Sequence, residues 1–196
     1  NSGQVIGNHG NGTNDYWVVK MSPRFCSAIG SVYLDLNSNG SQDGTEPPIA
    51  HHMIQVPGTN HFTFTNQNGA YQLNLPDTGS FDVQPAALAH FAAAPAAHTV
   101  HFTAFQQAST GNDFAFQPTG TVYDLSVTIS PGSFVRPGMQ AHYFVHYQNA
   151  GNQVIPPTIV VRPEPFMTFV SASSTPSYAA ADSIAWVLPP LDPYQS

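Results

Sequence analysis

Charge is the scarcest ingredient of this sequence. Only 8% of its 196 residues are charged, 4 basic against 11 acidic, for a formal net charge of −7 with histidine neutral. So acidic a balance disfavours partnership with nucleic acid or an anionic membrane surface. Solubility then falls to Asn, Gln, Ser, Thr and His. Cysteine is nearly absent as well. Cys26 stands alone, so no disulfide can form within the chain and cysteine usage does not define a redox compartment. No apolar run approaches the length of a membrane span, which argues against direct membrane insertion. No sustained 3.6-residue period marks an amphipathic helix.

Catalytic signatures are missing too. There is no Gly-x-Ser-x-Gly elbow, and Cys26 has no recognisable base motif beside it. The glycine-rich run Gly7–Gly12 opens no helix, which removes the usual phosphate cradle. Nine histidines invite a zinc reading, but no His-Glu-x-x-His or Cys-x-x-Cys pattern supports one. His142 and His146 share a strand face yet lie about 13 Å apart at strand rise, too far to chelate one ion. His98 and His101 point to opposite faces of a strand, and His9 lacks a partner at ligand spacing. His51, His52 and His61 flank one expected hairpin. Paired carboxylates for glycoside hydrolysis stay open in principle, because spatial pairing is invisible in sequence. The expectation is a protein that is not an enzyme.

What is plentiful is punctuation. Eighteen prolines and fifteen glycines cut the chain into short segments, the habit of an all-β protein. The most informative segment is Gly30 to Glu46. It begins as a strand, Ser31–Leu36, with Val32, Leu34 and Leu36 alternating against small or polar neighbours. It continues into Asp35, Asn37, Asn39, Gly40, Ser41, Asp43 and Glu46. Those oxygens fall at positions one, three, five, seven, nine and twelve of a calcium loop, with glycine at position six where the backbone turns sharply. In such a loop Asp35, Asn37, Asn39 and Asp43 supply one side-chain oxygen each, Ser41 its carbonyl, and Glu46 both carboxylate oxygens. The competing reading is a polar hairpin turn built from the same residue types. Pro47-Pro48 stops a helix at once, so the context is a β-domain and not a helix–loop–helix sensor.

The rest of the chain divides around that loop. Residues 1–26 read as the end of an upstream β unit and a linker, with one strand, Tyr16–Lys20. Residues 27–118 read as a sandwich with further strands at His52–Val56, His61–Thr65, Ala70–Leu75, Ser80–Gln84, Thr99–Phe105 and Asp113–Gln117. The turns Asn66–Gly69 and Pro76–Gly79 connect them, and Ala86–Ala97 reads as a loop between Pro85 and Pro95. Residues 119–196 read as a second β-domain with strands at Val122–Ile129, Gln140–Tyr147, Ile155–Arg162, Met167–Ala172 and Ser183–Leu188. Phe62, Phe64 and Tyr71, or Tyr143 and Tyr147, are candidates for a binding face. The alternative for each is a place in a sandwich core.

Three resemblances follow these segments. Asn8-His9-Gly10 with Asp15–Lys20 resembles the closing copy of short repeats in secreted proteins of the Bacteroidetes. VYLDLNSNGSQDGTEPPI with TNQNGAYQLNLPDTGSFDV resembles the calcium-binding B-type repeats of staphylococcal Ser-Asp-repeat adhesins and, more broadly, collagen-adhesin B domains. That likeness implies a transthyretin-like sandwich and calcium ligands at Asp35, Asn37, Asn39, Asp43 and Glu46. Many collagen-adhesin B domains carry a Lys–Asn isopeptide bond. Here the first strand has no lysine and Lys20 lies before the domain, a departure from that pattern. The segment 124–152, with FMTFVSASSTP and IAWVLPPLDP, is similar to immunoglobulin-like modules of bacterial surface proteins exported by type IX secretion. That likeness implies an immunoglobulin-like sandwich that would continue beyond Leu191-Asp192-Pro193, so this copy reads as truncated.

The expectation is therefore an all-β chain of tandem β-sandwich domains, a B-type domain followed by an immunoglobulin-like one. It would be a non-catalytic, Ca²⁺-stabilised segment of a long extracellular or cell-surface protein. Its partners would be other domains of the same chain, with surface proteins, glycans or export machinery beyond them. The competing expectation is an accessory spacer or carbohydrate-binding segment of a large secreted enzyme.

Overall fold

The computed structural model describes residues 24–196. The expected strand Tyr16–Lys20, with His9 and Lys20, lies outside the described residues. What is described is all-β: every element is a strand and none is a helix. Among the described residues no helix is long and apolar enough to cross a membrane.

Alternating apolar residues become two packed sheets in the first half of the chain. The strands are β1 (Cys26–Leu34), β2 (Met53–Gln55), β3 (Phe62–Phe64), β4 (Ala70–Leu75), β5 (Gly79–Pro85), β6 (Phe91–Ala94), β7 (His98–Phe102), β8 (Ala108–Ser109) and β9 (Phe114–Pro118). One sheet runs β4-β1-β9-β6 with β8 also on β1, and the other runs β3-β2-β5-β7. Strand β4 shows the principle: Tyr71, Leu73 and Leu75 are buried while Ala70, Gln72 and Asn74 face solvent, as a period of two requires when one face is covered. Val32, Leu34, Leu73, Leu75, Phe114 and Phe116 of the first sheet share one core with Ile54, Val83, Val100 and Phe102 of the second. This is a sandwich-like packing of two inner faces.

Several segments depart from expectation. Strand β1 starts at Cys26 and not at Ser31, because Cys26 and Ala28 lie opposite Leu75 and Leu73 of β4 and are fully buried. Ala86–Ala97 is not wholly loop: it contains β6, where Ala92, Ala93 and Ala94 pair with Gln117, Phe116 and Ala115 and Phe91 enters the core. Pairing with β9 overrides the weak strand preference of alanine. Strand β7 ends at Phe102, short of Phe105, and β8 arises where no strand was expected.

The second half carries β10 (Leu125–Pro131), β11 (Tyr143–Asn149), β12 (Thr158–Val161), β13 (Tyr178–Ala179) and β14 (Ile184–Val187). Strands β10 and β11 form an antiparallel ladder, and β12-β14-β13 form a separate sheet. Met167–Ala172 forms no strand, while β13 pairs with β14 instead. Burial is sparse here. Among the described residues of 119–196 the buried core hydrophobics are Ile159, Ile184 and Leu191, whereas Val127, Ile129, Phe134 and Phe166 are exposed.

That contrast predicts unequal mutational costs. Leu73→Ala deletes a side chain that is 1% exposed and should cost about 2–5 kcal/mol. Ile129→Ala, at a position 56% exposed, should change stability by no more than about 0.5 kcal/mol. Denaturant unfolding of the two variants checks this, and equal losses would contradict it.

Candidate metal centre

The candidate loop leaves β1 at its C-terminal end and stays tied to the sheet. The amide of Asp35 donates to Phe116 O at 2.9 Å, which extends the parallel β1–β9 pairing by one bond beyond Leu34. Asp35 itself is fully buried. Its Oδ1 accepts from the Asn39 amide at 3.0 Å, and its Oδ2 accepts from the Gly40 amide and from Gln117 Nε2, both at 2.8 Å. Ser38 and Gly40 take positive φ, 59° and 79°, so the chain can fold back over this carboxylate. Glycine is the residue that adopts such a conformation at least cost.

Glu46 makes the matching knot at the other end. The residue is 6% exposed, and Oε1 accepts from the Leu36 amide at 3.0 Å while Oε2 accepts from the Asp43 amide at 3.0 Å. Between the knots, Asn37 Nδ2 and Asn39 Nδ2 converge on Asp43 Oδ2 at 2.7 and 2.9 Å. Asn37 Oδ1 accepts from the Asn39 amide, and Asn39 Oδ1 from the Ser41 amide. The side chains of Asp35, Asn37, Asn39, Asp43 and Glu46 thus close one network. Ser41 joins it through its backbone amide.

Two members were not legible as site residues. Tyr33 donates its hydroxyl to Gly40 O at 3.1 Å. Its pKa is raised, first by burial and then by the charges of Asp35, Asp113, Glu46 and Asp43. Gln117 reaches Asp35 from 82 residues away. The signal for Tyr33 is its place on the strand that feeds the loop, whereas Gln117 carries no local signal at all.

The electrostatics are specific. Burial would raise the pKa of Asp35, but hydrogen bonds from Gln117 and from the amides of Gly40, Asn39 and Ser38 outweigh it and hold the carboxyl below its usual value. Among the described residues, every hydrogen-bond donor to the carboxylates of Asp35, Asp43 and Glu46 is a neutral amide. Three carboxylates within one loop therefore lack a cationic hydrogen-bond partner. In chemistry the donor set suits a hard cation, since it is all oxygen. In arrangement the fit is incomplete. Among the described residues no three His, Cys, Asp or Glu side chains are grouped to hold a metal. Asn37 and Asn39 present nitrogen, not oxygen, to Asp43.

Among the described residues the histidines do not gather. His52 is buried, donates from Nε2 to Ala86 O at 2.9 Å and meets Phe116 edge-on. Burial lowers its pKa, with the Ala86 bond acting in the opposite sense. His98 bonds Asp113 O and His101 bonds Ser80 Oγ. Of the aromatic candidates, Tyr71 is core, but Phe62 and Phe64 are 56% and 54% exposed, with ring centroids 5.9 Å apart. Comparison with family models, with curated proteins and with solved structures finds no match in any of the three.

Because the loop is closed by its own hydrogen bonds, it should matter without any metal. In chelator, Asp35→Asn replaces an acceptor pair by one acceptor and one donor and should cost about 1–3 kcal/mol at neutral pH. The Asp35 contribution is present above the ordinary Asp pKa of about 3.9. It is lost as pH falls through the lower folded-state value, since the unfolded chain then binds more protons. Chemical denaturation from pH 7 to pH 2 should show a shallower acid loss in the variant. Identical stability at neutral pH would contradict the structural role.

Proposed function

We propose that this chain is a non-catalytic, calcium-stabilised modular segment of a large secreted or cell-surface bacterial protein, a stalk or adhesin component. The observation that carries the reading is the loop of Asp35, Asp43 and Glu46: three carboxylates held in place by neutral donors alone. A divalent cation relieves their mutual repulsion in a way that further amides do not. Asp35, Asn37, Asn39, Ser41, Asp43 and Glu46 would hold it, with Asn37 and Asn39 turning their oxygens inward. The cation would supply a cross-link between the end of β1 and the chain entering β2, in a chain whose one cysteine can form no internal disulfide. The B-type and immunoglobulin-like resemblances support an extracellular setting and a place among other domains of a longer chain, exported by the type IX route.

Calorimetry with Ca²⁺ and with Mg²⁺ tests this. The expected dissociation constant is on the order of 10⁻⁴ to 10⁻³ M, as in extracellular modules. At ten times that constant, calcium should stabilise the fold by about 1.4 kcal/mol through preferential binding to the native state. Glu46→Gln should abolish the calcium-dependent gain. No binding heat at millimolar calcium and no rise in melting temperature would remove the metal from the reading.

A second reading, an accessory carbohydrate-binding segment, draws on Phe62 and Phe64. Both project from β3 to solvent, and they pair across to Gln55 and Met53 of β2, so an aromatic pair stands beside an amide on an open sheet face. Such faces suit the apolar side of a sugar ring with a few polar groups for orientation. Affinity electrophoresis in gels of neutral polysaccharides checks it. Retardation of the wild type that Phe62→Ala and Phe64→Ala abolish is the expected outcome, and unretarded migration in every gel counts against it.

A further inference from the structure

The passage from β9 to β10, residues 119–124, is bonded along its length. Thr119 N donates to His90 O at 2.9 Å. Asn152 then bonds the next residues of the passage. Its Nδ2 donates to Gly120 O at 3.1 Å, its Oδ1 accepts from the Val122 amide at 2.8 Å, and its own amide donates to Val122 O at 2.9 Å. Ala150 N and Gly151 N both donate to Asp124 O. Gly151 lies so close that a Cβ there would sit 2.3 Å from Val122 O.

The same residues reach back to the first half of the chain. Asn152 is 1% exposed, and its second Nδ2 hydrogen goes to His90 O at 2.9 Å. Tyr194 donates its hydroxyl to Ala89 O at 2.5 Å, and its ring lies 6.0 Å from that of Phe91. Tyr194 thereby packs against the core cluster that Phe91 belongs to. It is held from behind, since its amide donates to Asn149 O. Asn149 is fully buried and donates to Gln153 O and Leu191 O. The receiving segment is equally anchored, with Ala86 O bonded to His52 and Leu88 packed on the core.

Units joined by a short polar interface move relative to one another by default. Here opening would break the bonds of Asn152 to His90 O and of Tyr194 to Ala89 O and would lift the Tyr194 ring from Phe91, and the lost hydrogen bonds and apolar burial oppose it. We propose that residues 149–152 and 191–195 form a docking surface for the 86–91 segment. It makes the two halves of the chain one rigid body, and residues 119–124 are a strap and not a hinge. Asn152 and Tyr194 are the positioning residues. Calcium plays no part in this joint, because none of its contacts involves the Asp35–Glu46 loop.

Nuclear magnetic relaxation of backbone amides in the full chain tests it, in chelator and in calcium. One rotational correlation time shared by residues 26–118 and 125–191 is the expected result. Two distinct values in the wild type would overturn the proposal whatever any variant does. Asn152→Asp keeps the side chain's shape but removes both donors, and Tyr194→Ala removes ring and hydroxyl. The two changes together should split the single value in two, with hydrogen-exchange protection of β1, β4 and β9 retained. A single shared value in the double variant would show that the joint lies elsewhere. Calcium titration in the same samples reports on the loop independently.

Discussion

Strand β1 is paired along both edges, antiparallel to β4 on one side and parallel to β8 and β9 on the other. A buried strand must satisfy its amides and carbonyls within the protein, and this double pairing does so for most of its length. It also sets the position of everything that follows. Because β9 lies in register beside Val32 to Leu34, its next residues arrive beside the start of the loop. Asp35 receives a backbone bond at Phe116 and a side-chain bond at Gln117 from that one fact.

The loop is a closed hydrogen-bond network whose charge is all of one sign. Its contacts are those of a self-closed turn, with Asn37 and Asn39 giving nitrogen to Asp43. Amide donors fix the carboxylates of Asp35 and Glu46 in place. The same amides stabilise the loop alone. Against burial, the bond from Gln117 and then those from backbone amides favour the ionised form of Asp35 and hold its pKa below the usual carboxyl value.

The two halves of the chain are unequal in what they bury. Residues 26–118 enclose aromatic and aliphatic side chains from both sheets. Residues 119–196 present a two-stranded ladder and a small sheet, with much apolar surface exposed. A two-stranded ladder in water is marginal by itself. Contacts through Asn152 and Tyr194 therefore bind the less buried half to the more buried one, and Tyr194 covers part of the first core in return.

All-β character, most strands of residues 26–118 and the polar loop after β1 were legible from composition, alternation and turn residues. Ala70–Leu75 is a strand with the expected limits, because its alternation is strict and Asn66–Gly69 forces a turn before it. Asp35, Asn37, Asn39, Asp43 and Glu46 stood out in the sequence by the spacing of a calcium loop, and the structure joins them by hydrogen bonds within the loop. Phe62 and Phe64 were not readable as exposed: a period of two separates the faces of a strand but does not say which one the other sheet covers. Strand β6 was hidden in alanines whose extended form depends on β9. Gln117, Asn152 and Tyr194 carry no local signal, since each acts on a segment distant in sequence. Local patterning decided the elements and the loop; which faces close and which distant residues meet was decided by strand pairing, where bonds join positions that share no sequence neighbourhood.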